Sequence, residues 1–240
     1  DDSQSMRENG SGRLALESLC ILSTALNKLE VGTMGVLSFG QTINLLHSLQ
    51  QPFSDQSGSF VCSQFTFNQN ETKYQDLIAT IINVLSNNDA TWQNIQQHIE
   101  EFNMSLESEG DGSNKLRSLI RPTAATSAVS WDGSETLSLV FVISDARIQQ
   151  NRQQLQQLVT IAHERKQIIL LIIVDTKDEQ TSISNVKSIH VDPVTSKVNI
   201  TNYLDDFPFP YYVLLKDIQT LPNVVADSLR QWFELVRQSS

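Results

Sequence analysis

Cysteine is almost missing from this chain. Cys20 and Cys62 are the two among 240 residues, too few for the disulfide framework that small secreted domains rely on. Cys20 falls in a stretch with helical spacing, so a reduced thiol on a buried helix face is expected there. Glycine and proline are sparse as well, 9 and 6 residues, and with 40% hydrophobic residues the composition is that of a folded protein. No apolar run is long: the longest, 168–174, is far too short to cross a bilayer as a helix. Positive charge is in deficit, with 17 Lys plus Arg against 27 Asp plus Glu and a formal net charge of −10. That balance counts against non-specific nucleic-acid binding, which works by neutralising phosphates. It suits a divalent cation or a basic protein partner, with a solvated acidic surface as the plainer alternative.

Several catalytic signatures are missing too. There is no P-loop, which counts against ATP hydrolysis by this stretch, and no Gly-x-Ser-x-Gly elbow. The histidines His47, His98, His163 and His190 lie far in sequence from Ser3 and Ser5, the hydroxyls that could be imagined as nucleophiles. Asn70-Glu71-Thr72 and Asn103-Met104-Ser105 fit the glycosylation pattern, but such tripeptides arise often by chance and would matter only in a secreted chain, for which no signal peptide is seen.

What is present is alternating helical and strand patterning. Apolar residues Leu16, Leu19, Cys20, Leu26 and Leu29, widened by Leu14 and Leu22, predict a helix over 13–29 with a broad buried face. The run 34–39 suits a central strand, with 43–49 as an edge strand joined through Gly40-Gln41. A helix is expected over 72–85, turning Tyr74, Leu77, Ile78, Ile81, Ile82 and Leu85 inward, and a further helical segment around Trp92, Ile95, Ile99 and Phe102. The stretch 105–134 reads as an insertion or long loop. Then 137–144, 150–166 and 168–174 give strand, helix, strand. The helix has Leu155, Leu158, Val159 and Ala162 on its inner side, the pattern of a parallel sheet covered on both faces. A hairpin over 187–191 and 197–201, a short strand at 211–215 and a closing helix entered at Pro222 complete the chain. With no repeats and no internal linker, one domain over 1–240 is expected.

The candidate site lies in the first residues. Asp1-x-Ser3-x-Ser5 can aim an acid and two hydroxyls at one point, and hard oxygen ligands of that kind suit Mg²⁺. An exposed polar turn is the simpler reading. Two further residues support the metal reading. Asp145 ends the strongest buried strand, where open α/β sheets place their ligands, and Thr72 stands at the start of a helix, as cap or as ligand. Thr66 alternates with Phe65 and Phe67 and looks like a strand or loop residue.

Together Asp1, Ser3, Ser5, Thr72 and Asp145 resemble the three-part metal-ion-dependent adhesion site (MIDAS) of von Willebrand A-like domains. The segments 1–6, 39–54 and Asn202-Tyr203-Leu204-Asp205-Asp206-Phe207-Pro208-Phe209-Pro210-Tyr211-Tyr212 narrow the resemblance to the carboxyl-terminal domain of the midasins, dynein-related AAA-type ATPases. The resemblance implies an α/β fold: a three-layer α/β/α, Rossmann-like domain with a mostly parallel central sheet and an accessory hairpin or insertion. It implies a strand before Asp1, which would be missing from this stretch. It implies Mg²⁺, with Mn²⁺ or Ca²⁺ as substitutes, and a partner carboxylate completing the metal shell. The implied partners are ubiquitin-like domains of WD-repeat assembly factors on the pre-60S particle, together with the domain's own ATPase ring, in the nucleus, with no catalysis in this domain. A cation-dependent extracellular adhesion domain and a metal-dependent hydrolase are the alternatives. The family usually has Gly after the last site Asp; here Ala146 stands there, at a modest cost if the backbone takes positive φ.

Overall fold

A computed structural model of the chain describes residues 1–30, 32–86, 138–148, 152–175, 180, 182–191 and 198–238. The helix expected around Trp92, the insertion 105–134 and the turn 192–196 lie outside the described residues. In chain order the elements are α1 (Gln4–Glu8), α2 (Ser11–Lys28), β1 (Val36–Phe39), β2 (Ile43–His47), α3 (Asp55–Ser63) and α4 (Tyr74–Ser86). After these come β3 (Ser138–Ser144), α5 (Arg152–Glu164), β4 (Gln167–Val174), β5 (Lys187–Val191), β6 (Val198–Asn202), β7 (Tyr212–Leu215) and α6 (Leu221–Gln238).

The centre is a parallel sheet in the order β3-β4-β7. All eight residues of β4 are buried, because helices cover both faces of the sheet and leave no side for polar residues. Alternate side chains divide between the layers. Ile169, Leu171 and Ile173 join Ile78 and Ile82 of α4 and Leu155 and Val159 of α5. Ile172 faces the other way, into a cluster with Leu22 of α2, Leu215, Leu221 and Val225. The β3–α5–β4 crossover forms as its periodicity predicts, and α5 buries the four expected residues, Leu155, Leu158, Val159 and Ala162.

Two expectations need correction. The run ending at Phe39 is not a central strand: β1 pairs antiparallel with β2, Val36 opposite His47 and Phe39 opposite Ile43. The three-residue connection Gly40-Gln41-Thr42 can only reverse the chain, since a parallel neighbour needs a crossover of a dozen residues or more. Asp1 and Asp2 lie between this hairpin and the main sheet, the Asp2 N–H donating to the Phe39 carbonyl (2.7 Å) and the Asp1 nitrogen to that of Ile143 (3.1 Å).

The second correction concerns α2. Its leucine stripe is not the buried one: Leu29 is 62% exposed, whereas Ser11, Gly12, Ala15, Ser18, Leu22 and Ser23 are buried. The spacing 11, 15, 18, 22 is one helical face, and its small residues allow close approach. Ser11 Oγ donates to the Val174 carbonyl (3.3 Å), and an added Cβ on Gly12 would sit 3.0 Å from the Phe67 ring. Ser18 and Ser23 return their hydroxyls to the Leu14 and Leu19 carbonyls, each at 2.7 Å, so neither is left unpaired. Cys20, on the opposite face, is exposed.

One buried acid works against the fold. Asp76, in the first turn of α4, is 5% exposed. Burial raises its carboxyl from 3.8 to about 6, with the Lys73 charge opposing the rise. The folded chain therefore holds this proton to higher pH than the unfolded one, so stability falls as pH climbs from about 4 to about 6. Asp76→Asn should stabilise by about 1–3 kcal/mol at pH 7 and by nothing at pH 3. Urea midpoints at the two pH values measure this, and an equal gain at both would assign the effect to packing instead.

Candidate functional site

The first residues fold onto the carboxyl end of β3. Asp1 Oδ1 accepts from the Ser3 N–H (2.9 Å), an Asx-type turn that delivers Ser3 in extended geometry (φ −75°, ψ 156°) to the start of α1. Asp1 Oδ2 accepts from the Ser144 hydroxyl, which in turn pairs with the Tyr74 hydroxyl and accepts the Ala146 N–H at 3.1 Å. Ser144 and Tyr74 are both fully buried. Desolvation, with the Asp145 charge adding to it, holds the Tyr74 phenol well above its ordinary range. Tyr74 therefore keeps its proton and donates into the chain Tyr74–Ser144–Asp1.

Asp145 follows directly. It is 4% exposed, its Oδ2 accepting from Asn9 Nδ2 (2.9 Å) and its Oδ1 from the Arg147 N–H (3.2 Å), with Arg147 Nε 3.7 Å away. Ala146 takes φ 57°, the left-handed conformation in which Gly would avoid a penalty. Tyr203 clamps this loop: its hydroxyl donates to the Ala146 carbonyl (2.9 Å) and accepts the Ile148 N–H (2.8 Å), while Arg152 lies over its ring at 4.0 Å. The 202–212 segment thereby reaches the site.

The structure brings Asp1, Ser3, Ser5 and Asp145 to one end of the sheet, the serine hydroxyls 2.9 Å apart. Thr72 is half-buried in the segment that leads into α4. It precedes the residue in the capping position, and no hydrogen bond among the described residues ties its side chain to the others.

The metal expectation is overturned. Among the described residues no three His, Cys, Asp or Glu side chains come together to hold a metal ion. The arrangement explains why. Both Asp1 oxygens and both Asp145 oxygens accept protein donors, Arg147 balances Asp145, and Ser3 and Ser5 are paired with each other. Carboxylate oxygens already turned toward protein donors, beside a guanidinium, do not suit Mg²⁺, Mn²⁺ or Ca²⁺, which need several oxygens converging on one point. The Mg²⁺-dependent function, with its metal-completing partner carboxylate, falls with it.

Sequence reasoning passed over a heavily bonded residue, Asp2. At 5% exposure, its Oδ1 takes the N–H groups of Thr66 (2.8 Å) and Phe67 (2.5 Å), and its Oδ2 takes Gln69 Nε2 (3.1 Å) and the Thr66 hydroxyl (3.4 Å). Gly40 lies against the same strap, an added Cβ falling 2.6 Å from Gln69 Oε1. No local motif marks Asp2, because its partners are 64 to 67 residues away. Asp175, the equivalent end of β4, was also missed as a site residue. It accepts the Ser182 hydroxyl (2.5 Å) and the Ile183 N–H (3.0 Å), with Lys216 Nζ 3.5 Å away. A cleft of about 310 Å³ opens here, lined by Asn9, Ser11, Asp175 and Lys216 among others.

No protein-family model matches the chain. It is similar to the midasin of Dictyostelium discoideum, 28% identical over 239 residues that make up 100% of this chain and 3% of that protein. It is also similar to the midasin of Giardia intestinalis, 29% identical over 240 residues, 98% of this chain and 4% of that protein. This α/β chain is thus distantly similar, over nearly all of its residues, to a small segment of two midasins.

Proposed function

We propose that the chain is a non-catalytic protein-docking domain of a larger midasin-like protein, von Willebrand A-like in fold, that binds its partner without a metal ion. The observation that carries this is the end of the sheet where Asp1, Ser3, Ser5 and Asp145 meet. Its carboxylates are locked by protein donors, while Arg7, exposed on α1, and Arg147, half-exposed beside Asp145, stand at the rim. Arginines so placed, Arg7 donating to Asn68 and Arg147 paired with Asp145, would exchange those contacts for an acidic side chain of a partner, which a guanidinium fork binds in two places. The partner would be a ubiquitin-like domain of a ribosome-assembly factor, and the location nuclear, by similarity to the midasins. Catalysis is disfavoured because Ser3 and Ser5 bond each other and Ser144 is fully buried. His47 is spent on the Gln51 carbonyl (3.1 Å) and the Phe53 ring. No helix among the described residues is long and apolar enough to cross a membrane.

The test is calorimetric titration with a ubiquitin-like domain bearing an acidic loop. Binding should be unchanged by EDTA and weakened roughly 10- to 100-fold by Arg7→Ala with Arg147→Ala. Loss of binding in EDTA, or full affinity in the double variant, would sink the proposal.

A further inference from the structure

We propose that Cys20 and Cys62 form a reversible intramolecular disulfide that fastens α3 to α2. Their sulfurs stand 3.2 Å apart, both as free thiols, with Cys20 exposed and Cys62 half-buried. The residues are 42 positions apart, on two different helices, so the meeting is tertiary rather than an accident of local spacing. Closing from 3.2 Å to a bond of about 2.05 Å asks for a shift of about 1 Å. α3 can supply it: of its nine residues only Val61 is buried, so the helix is lightly held. Lining α3 against α2 would also brace the strap that follows it, whose residues Thr66, Phe67 and Gln69 hold Asp2.

The two thiols are not equivalent. Cys20 is the exposed one of the pair and so meets the oxidant, while desolvation, then the hydrogen bond with Cys20, lifts the Cys62 thiol to about 11. With a small-molecule disulfide such as oxidised glutathione, the Cys20 thiolate attacks one sulfur, forming a mixed disulfide and releasing one glutathione thiolate. Cys62, on losing its proton to solvent, then attacks Cys20 Sγ and expels the second glutathione. Two protein thiols are oxidised and one glutathione disulfide is reduced to two thiols.

The experiment is native treatment of the full chain with oxidised glutathione, followed by intact mass and peptide mapping. The expected product is a monomer with both thiols consumed, a Cys20–Cys62 linked peptide and no retained glutathione, restored by dithiothreitol. Its Tm should exceed that of the reduced chain by roughly 5–15 °C. Cys62→Ser should instead stop at a glutathione adduct on Cys20. Wild-type chain that keeps the adduct, cross-links between molecules or remains fully reduced in excess oxidant overturns the proposal. Because reduced and oxidised wild type are compared directly, the result stands even where a serine variant fails to fold.

Discussion

Asp2→Ala should lower the free energy of unfolding by about 3–5 kcal/mol, a large part of what a domain of this kind has. The carboxylate accepts two backbone N–H groups, one amide and one hydroxyl at the junction of the β1–β2 hairpin, the first residues and the 65–69 strap. Removing it takes the acceptor from the part-buried Thr66 and Phe67 N–H bonds and from the Gln69 amide at once, and a fully buried donor left without a partner costs about 1–3 kcal/mol. Asp2→Asn keeps one acceptor oxygen but turns the other position into a donor facing Gln69 Nε2, so it should recover only part of the loss. Urea unfolding of the three proteins measures this. A loss below about 1 kcal/mol for Asp2→Ala would mean that solvent replaces the carboxylate and that the strap is not organised by it.

Tyr74→Ala should cost about 3–5 kcal/mol, the range for removing a large buried aromatic. Its ring is fully buried, edge-on to Phe39 at 5.6 Å and to Phe209 at 6.2 Å. It therefore ties together the hairpin, α4 and the 202–212 segment. Its hydroxyl also begins the chain through Ser144 to Asp1. Tyr74→Phe separates the two roles: with packing kept and one hydrogen bond lost, about 1–2 kcal/mol is expected. Ser144 then retains its bond to Asp1, so partner binding should survive in Tyr74→Phe. Equal destabilisation by the two substitutions would place the whole effect in the hydroxyl network and refute the packing role.

In the proposed docking mode, a few polar residues rather than an ion hold the site together. Asp1 and Asp145 are held by Ser144, Asn9 and Arg147. That arrangement leaves the rim arginines, not the carboxylates, as the groups a partner would meet first.

The elements legible in the sequence are those whose burial is dictated by their own residues. β4 is apolar from Ile168 to Val174, the pattern of a strand buried on both faces. α5 carries one apolar stripe, and that stripe is the face that packs, whereas α4 is buried continuously over 76–82. The gathering of Asp1, Ser3, Ser5 and Asp145 was also readable, since a polar turn and a strand-ending acid both belong at the carboxyl edge of a parallel sheet. Tertiary structure decided the rest. α2 offers two possible faces, and the smaller one won because close packing against the sheet favours Ala15 and Ser18 over leucines. Cys20 was turned outward by the same choice. Whether the site's oxygens would face an ion or protein donors depended on Asn9, Arg147 and Ser144, whose side chains reach it only after folding. Spacing along the chain specifies which residues can share a loop, but a carboxylate's partners are set by what the fold packs beside it, and for Asp2 those partners lie 64 to 67 residues away.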